Sequence, residues 1–240
     1  EIAVKNAWSP AKLRQEIARA RDLGLEPIPK MNFSVSHDTW LGEYSRCLST
    51  PRYYQVCRDL IAEAIELFDK PRFFHLGMDE ETPRHQRYYG MAIIRQHELW
   101  WHDLMLYVKA VEDGGVRPWI WADFIWHHRE DFLQKMPRSV LQSNWYYDMK
   151  FDAETEEVQR SWVDAYRVLE QAGYDQVPTG SNVCDAQNFP RTVEFCRKII
   201  DPSRLFGFLQ STWQPTTEEY RAKHKEAIEV VAQARRAMMA

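Results

Sequence analysis

The sequence predicts an α/β fold of the (β/α)8 TIM-barrel type, as one domain spanning 1–240. Three observations carry this. Strand-like apolar runs alternate with amphipathic helices, no long linker or low-complexity segment interrupts them, and polar and aromatic residues gather after strand after strand. That last pattern is the rim on which barrel enzymes build their sites. No GxGxxG or GxxxxGK[ST] follows a strand, which removes the usual nucleotide-binding versions of a parallel sheet.

The first helix is read in WSPAKLRQEIARARDLG, with Ser9 as N-cap, Pro10 in the first turn and Gly24 as the stop; Leu13, Ile17, Ala20 and Leu23 form its apolar stripe. The short strand LEPIPKMNF follows. A second helix opens at STPRYYQ and runs to about Phe68, with Val56, Leu60, Ala64 and Leu67 on one side, and leads into the strand RFFHLG. A helix from about Arg95 to Glu112 stops at Gly114–Gly115 before RPWIWADF. A short helix near Glu130–Lys135 precedes SVLQSNWYY, and one from about Glu154 to Ala172 precedes DQVPTGSNV. A helix around Pro190–Ile200 precedes LFGFLQSTW, and a last helix runs from about Thr217 to Met238. The strands number six, starting near residues 25, 73, 117, 139, 175 and 205. A barrel of eight would lack its first two βα units, and truncation is the expected reason.

A net charge of −4 and a pI near 6.1 give no general pull toward nucleic acid or an anionic membrane, and neither is expected as a partner. No apolar run approaches the roughly 18 residues of a membrane span. The chain opens at Glu1 with no signal peptide in view, which leaves compartment open, and nothing in the sequence sets an oligomeric state. The four cysteines lack a CxxC pair and read mostly as buried free thiols. Ten tryptophans, several near strand ends, suggest a pocket walled by flat rings, which suits a sugar or another flat ligand, although core packing accounts for any one of them.

The chemistry concentrates in PRFFHLGMDEE, residues 71–81. Carboxylates are costly to bury without partners, so Asp79 and Glu80 at the end of an apolar strand point to a working rim. Where the strand breaks into its loop, alternation lapses and both acids can turn to one side, with Gly77 permitting close backbone approach. Two acids at different depths can keep one protonated as general acid and its neighbour ionised. His75, inside the strand, reads as a hydrogen-bonded core histidine. The competing reading is an acidic first turn of a helix.

These residues resemble the His-x-Gly-Gly-Asp-Glu signature of family 20 glycoside hydrolases, the β-N-acetylhexosaminidases. WSPAKLRQEIARARDLGLEPIPKMNF…H is similar to that family's helix and Pro-Gly-His strand, YYQVCRDLIAEAIELFDKPRFFHLG to the helix entering its catalytic strand, WIWADFIW to its Trp-x-Glu strand, and LFGFLQSTWQ to its last strand. The resemblance implies removal of a terminal N-acetylhexosamine or related sugar by a substrate-assisted retaining mechanism, outside the two-carboxylate scheme. It assigns Glu80 as general acid and then base, and Asp79 as the group orienting the substrate's acetamido nucleophile. Trp121, Trp145 and Trp213 would wall the sugar, Tyr146 or Tyr147 would donate to the acetamido oxygen, and His37 would support the acid. No cofactor and no metal are implied. Met78, Lys30, Asn32 and Ser34-Val35-Ser36 depart from the family pattern, as do Asp123 and Gln214 at positions that touch sugar hydroxyls. Two alternatives stand beside this reading: a catalytically silent carbohydrate-binding barrel, and a metal-dependent hydrolase drawing on His37, His75, Asp79, Asp123, His127 and His128.

Overall fold

Helix signals in the sequence translate directly into helices. In a computed structural model describing residues 2, 5–151 and 157–239, Ser9 Oγ accepts from the Lys12 amide at the start of α1 (Pro10–Asp22). Thr50 does the same for Tyr53 at the start of α2 (Pro51–Leu67). The chain divides into two compact halves, 1–120 and 121–240.

In the first half, β1 (Phe73–His75) pairs in parallel with β2 (Arg117–Trp121), with Phe73 opposite Arg117. Between them lies α3 (Glu98–Asp113). The strand expected near residue 25 shrinks to a single parallel bridge, Lys30 to His75. Pro27 and Pro29 explain this, since neither has an amide hydrogen to give to a ladder. The Pro29 carbonyl still accepts from His75 N at 3.0 Å, and Phe33 N donates to Leu76 O at 3.0 Å. The buried side of α2 is Tyr53, Cys57, Ile61, Ala64 and Ile65, about one position round from the expected stripe, and in α1 Ile17 is buried while Leu23 is exposed. Phe33, Phe74, Leu76, Trp100, Leu104, Tyr107 and Ile120 complete this core.

The second half contains α4 (Arg129–Lys135), β3 (Leu141–Ser143), α5 (Arg160–Gln171), β4 (Thr179–Ser181), α6 (Asn188–Ile199), β5 (Leu209–Ser211) and α7 (Arg221–Met239). β4 and β5 are parallel, and bridges from Gln142 and Trp145 to Gln176 and Thr179 continue the parallel order to β3. Tyr146, Val163, Tyr166, Phe195, Cys196 and Ile200 form one core cluster, and Phe189, Val193, Val230 and Ala234 another. The expected start of α5 near Glu154 lies outside the described residues.

The fold is therefore mixed α/β with short parallel strands. The described residues contain five strands of three to five residues rather than six, and they form no closed barrel. All four cysteines are free: Cys57 and Cys196 are buried, Cys47 half-buried and Cys184 exposed. Among the described residues no helix is long and apolar enough to cross a membrane.

Candidate active site

The loop that leaves β1 carries the acids in a strained backbone. Gly77, Met78 and Glu80 all have positive φ, at 73°, 76° and 56°. For Met78 and Glu80 such a conformation costs on the order of 1–3 kcal/mol each and persists only where surroundings dictate it. Asn32 is that surrounding. Its Oδ1 accepts from Met78 N and Ser34 N, each at 3.1 Å, and its Nδ2 donates to Asp79 Oδ1 at 2.7 Å. Gly77 must be glycine here, because a Cβ would sit 2.1 Å from Asn32 Oδ1 and 2.7 Å from Asn32 Cα. Gly77→Ala is expected to lower stability by about 1–3 kcal/mol in urea denaturation. A loss near zero would mean that the loop relaxes without its Asn32 anchor.

Asp79 is buried, and Glu80 is held between two imidazoles. His37 Nε2 lies 3.3 Å from Glu80 Oε2 and 3.5 Å from Asp79 Oδ2, while His85 Nε2 lies 3.3 Å from Glu80 Oε1. Thr82 orients His85, its Oγ1 lying 2.8 Å from Nδ1. Burial would push Glu80 upward, but the His37 contact and the charges of His85, His37 and Arg84 outweigh it and hold the carboxyl below its usual range. Burial would depress His37, yet Glu80 and Asp79 win and raise it. Both directions favour a proton on His37 over one on Glu80. The donor atoms of His37, Asp79 and Glu80 lie within 4.8 Å of one another, close enough to hold a metal ion.

His75 is buried and accepts from Gly77 N through Nδ1 at 3.0 Å, and its ring lies 4.8 Å from that of Trp119. Burial, with the Lys30 charge, pushes it well below the usual histidine range, so it is neutral with its proton on Nε2. Glu81 turns away from the pair. It binds Arg95, which also reaches Asp103. No helix begins at the acids, which removes the acidic-first-turn reading, and Arg95 lies ahead of α3 because Glu81 holds both its amide and its guanidinium.

In the second half the aromatic residues form their own cluster. The Trp145 ring stacks on Tyr147 at 5.1 Å and meets Trp126 edge-on at 4.6 Å, and Trp126 stacks on Trp162 at 5.0 Å. Trp213 lies 5.8 Å from Trp121 and 6.1 Å from Tyr147, and it is 45% exposed. Trp145 Nε1 donates to the buried Asp123 at 3.4 Å, and Trp126 Nε1 to Asn144 Oδ1 at 2.8 Å. A cleft of about 470 Å³ opens over Trp145, Tyr147, Asp148, Trp162 and Asp185. The Tyr146 hydroxyl is spent on its own chain, donating to Lys150 O at 2.8 Å with Gln159 Oε1 3.1 Å away, so of the two tyrosines Tyr147 is the one set among the tryptophans. Gln214 is half-buried beside Trp213 in the chain.

Solved structures supply the comparison. A β-N-acetylhexosaminidase superposes with a TM-score of 0.63 at 13% identity, over 95% of this chain and 55% of that one. The pneumococcal exo-β-D-N-acetylglucosaminidase StrH gives 0.57 at 14%, over 96% and 64%. A B12-independent methionine synthase from Shewanella sp. W3-18-1 gives 0.54 at 9%, over 99% and 69%. The likeness is one of fold. The chain spans between 55% and 64% of the length of those two glycosidases. No protein-family model matches the sequence, and no curated protein does.

Among the residues that sequence reading passed over, Asn32 stood out only as a departure from a motif, yet it anchors Asp79. His85 carried a usable signal, because a threonine three residues before a histidine in a polar turn can orient its ring. Trp126 and Trp162 carried none, since stacking between a short 3-10 turn and a helix distant in sequence leaves no spacing to read.

Proposed function

We propose that this chain is the catalytic, barrel-type domain of a glycoside hydrolase that removes terminal N-acetylhexosamine by a substrate-assisted, retaining route. The observation that carries the reading is the pair itself: Glu80 set between His37 and His85, with Asp79 held by the Asn32 amide. In this reading Glu80 gives the leaving glycosidic oxygen a proton, while Asp79 steers the acetamido group, whose carbonyl oxygen attacks the anomeric carbon. Glu80 then takes a proton from the water that opens the cyclic intermediate. In this reading the proton reaches Glu80 from His37, the site that the two shifts favour. The family resemblance gives Trp145, Tyr147 and Trp213 to the sugar, and Asp123 and Gln214 to its hydroxyls. No cofactor is needed, since the nucleophile belongs to the substrate. The fold shared with β-N-acetylhexosaminidases supports the assignment.

The deciding experiment is hydrolysis of a chromogenic N-acetyl-β-glucosaminide beside the plain β-glucoside, with and without chelator. Turnover of the acetamido sugar alone, indifferent to chelator, is the expected result. Turnover of the plain glucoside would transfer the nucleophile to a protein carboxylate. Chelator-sensitive turnover would favour the metal reading, for which the convergence of His37, Asp79 and Glu80 is the specific observation. Against it stands the raised His37, which must lose its proton before it can ligate.

A pH profile follows from the same pair. The working form carries one proton shared between His37 and Glu80, and rising pH removes it through the raised His37. kcat/KM is therefore expected to hold to pH values above the ordinary histidine range of about 6.5 and to fall beyond it. In His37→Asn the alkaline limb moves to lower pH, because Glu80 must then keep its own proton. An unmoved limb would take His37 out of the proton path.

A further inference from the structure

A pocket lined by the residue after His37 holds a carboxylate oxygen without a partner. It is a cleft of about 390 Å³ in the first half, walled by Val35, Met91 and Ile93, with Arg46 at its exposed rim. Asp38 lines it, is 4% exposed, and its Oδ2 has no hydrogen-bond partner.

Of the donors around it, Arg95, Gln86, Tyr89 and Ser45 are committed elsewhere, and Thr39 and Arg46, which also line the pocket, do not reach Asp38 Oδ2. Arg95, the nearest buried cation in the network, has five N–H groups. They go to Glu81 through Nε, to Asp103 and Tyr107 through Nη1, and to Phe33 O and Glu81 through Nη2. Gln86 donates to Ile93 O, Tyr89 to Ser36 O and Ser45 to Gly42 O. Burial pushes the Asp38 carboxyl up to about 7, with Arg95, a bond from its own backbone amide and His37 pulling it down and Glu81 adding to the rise. A buried acceptor without a donor calls for a partner from outside the chain.

We propose that this pocket binds a small molecule bearing an ammonium group, which donates to Asp38 while its hydrocarbon packs on Val35, Met91 and Ile93. An ammonium supplies both the charge and the donors that the carboxyl lacks, and charge-assisted bonds of this kind are the strong ones. The volume lies in the lower range of small-ligand pockets, which run from about 300 to 1,000 Å³. Arg46 adds a second contact for ligands that also carry a carboxylate, so zwitterions bind more tightly than simple amines. The inference is independent of the glycosidase reading.

The test is isothermal titration of the whole chain with isobutylamine, leucine and isovalerate at pH 8. Isobutylamine and leucine are expected to bind, isovalerate to give no heat, and Arg46→Ala to erase leucine's advantage over the amine. Asp38→Asn is expected to weaken amine binding by about tenfold or more. Met91→Trp, which fills the cleft, abolishes binding even if Asp38→Asn fails to fold. Glu80→Gln leaves amine binding unchanged, which separates the pocket from the acidic cluster. No heat with either amine, or isovalerate binding as well as isobutylamine, overturns the proposal: the pocket then holds water or is unselective. Binding lost in Glu80→Gln but kept in Asp38→Asn also overturns it. Equal affinity for leucine and isobutylamine overturns the role given to Arg46.

Discussion

Replacing Glu80 with glutamine is expected to cut turnover of an N-acetyl-β-glucosaminide by about 10²–10⁴-fold, the usual worth of a positioned general acid–base. Glutamine keeps the shape, its carbonyl accepting from one imidazole while its NH₂ faces the other, so folding should survive and a thermal melt should show it. It has no proton to give to the leaving oxygen. The loss should fall on kcat more than on KM, since proton transfer is made in the transition state and not on binding. A substrate with a leaving group that needs no protonation separates the two duties. With such a leaving group the first step recovers, and only the water-activating step stays slow. Asp79→Asn should behave differently. Asn32 Nδ2 now donates to Asp79 Oδ1, and an asparagine there must present its carbonyl to keep that bond and turn its NH₂ toward the substrate. In the proposed mechanism the acetamido nucleophile would then meet a neutral amide in place of the carboxylate that balances its positive charge. Loss on the acetamido sugar from both variants supports the division of labour. Full activity in Glu80→Gln would remove Glu80 from the chemistry.

How far the sequence reveals this depends on what kind of interaction makes each feature. Helices α1 and α2 are local: Ser9-Pro10 and Thr50-Pro51 supply cap and first turn within four residues, and the helices begin there. The strands depend on partners distant in sequence, and Pro27 and Pro29 show how two missing amide hydrogens reduce an apolar run to one bridge. Helix α3 starts at Glu98 rather than near Arg95 for a similar reason. Arg95 fits a helical pattern, but a buried ion pair with Glu81 holds it in the loop instead. The acids themselves were legible because carboxylates at an apolar strand end are conspicuous. The preference for a proton on His37 was not, since it depends on two imidazoles arriving from separate loops at 3.3 Å from Glu80.

Arg95→Met is the substitution from which we expect the largest structural effect. The Arg95 side chain is fully buried, with ion pairs to Glu81 at 2.6 Å and Asp103 at 3.2 Å. Removing one partner of a buried ionic network leaves the others charged and without compensation, at a cost of about 3–5 kcal/mol. Methionine fills part of the volume but answers none of the guanidinium's hydrogen bonds. Asp103 retains Ser49 and Tyr54 as donors, each within 2.7 Å, so most of the penalty falls on Glu81. Glu81 keeps only the amides of Arg95 and Val35, the latter at a long 3.5 Å. The consequence reaches the acid pair through the chain, because Glu81 follows Glu80 directly and its release frees a loop whose backbone is already strained at Met78 and Glu80. Urea denaturation should show the loss of stability, and activity should fall further than that loss accounts for. Adding Glu81→Gln to Arg95→Met removes the stranded charge and should recover part of the stability, because the two effects are coupled rather than additive. If the double variant is no more stable than the single one, the network is held by packing, and the charge on Glu81 is not what fixes the loop.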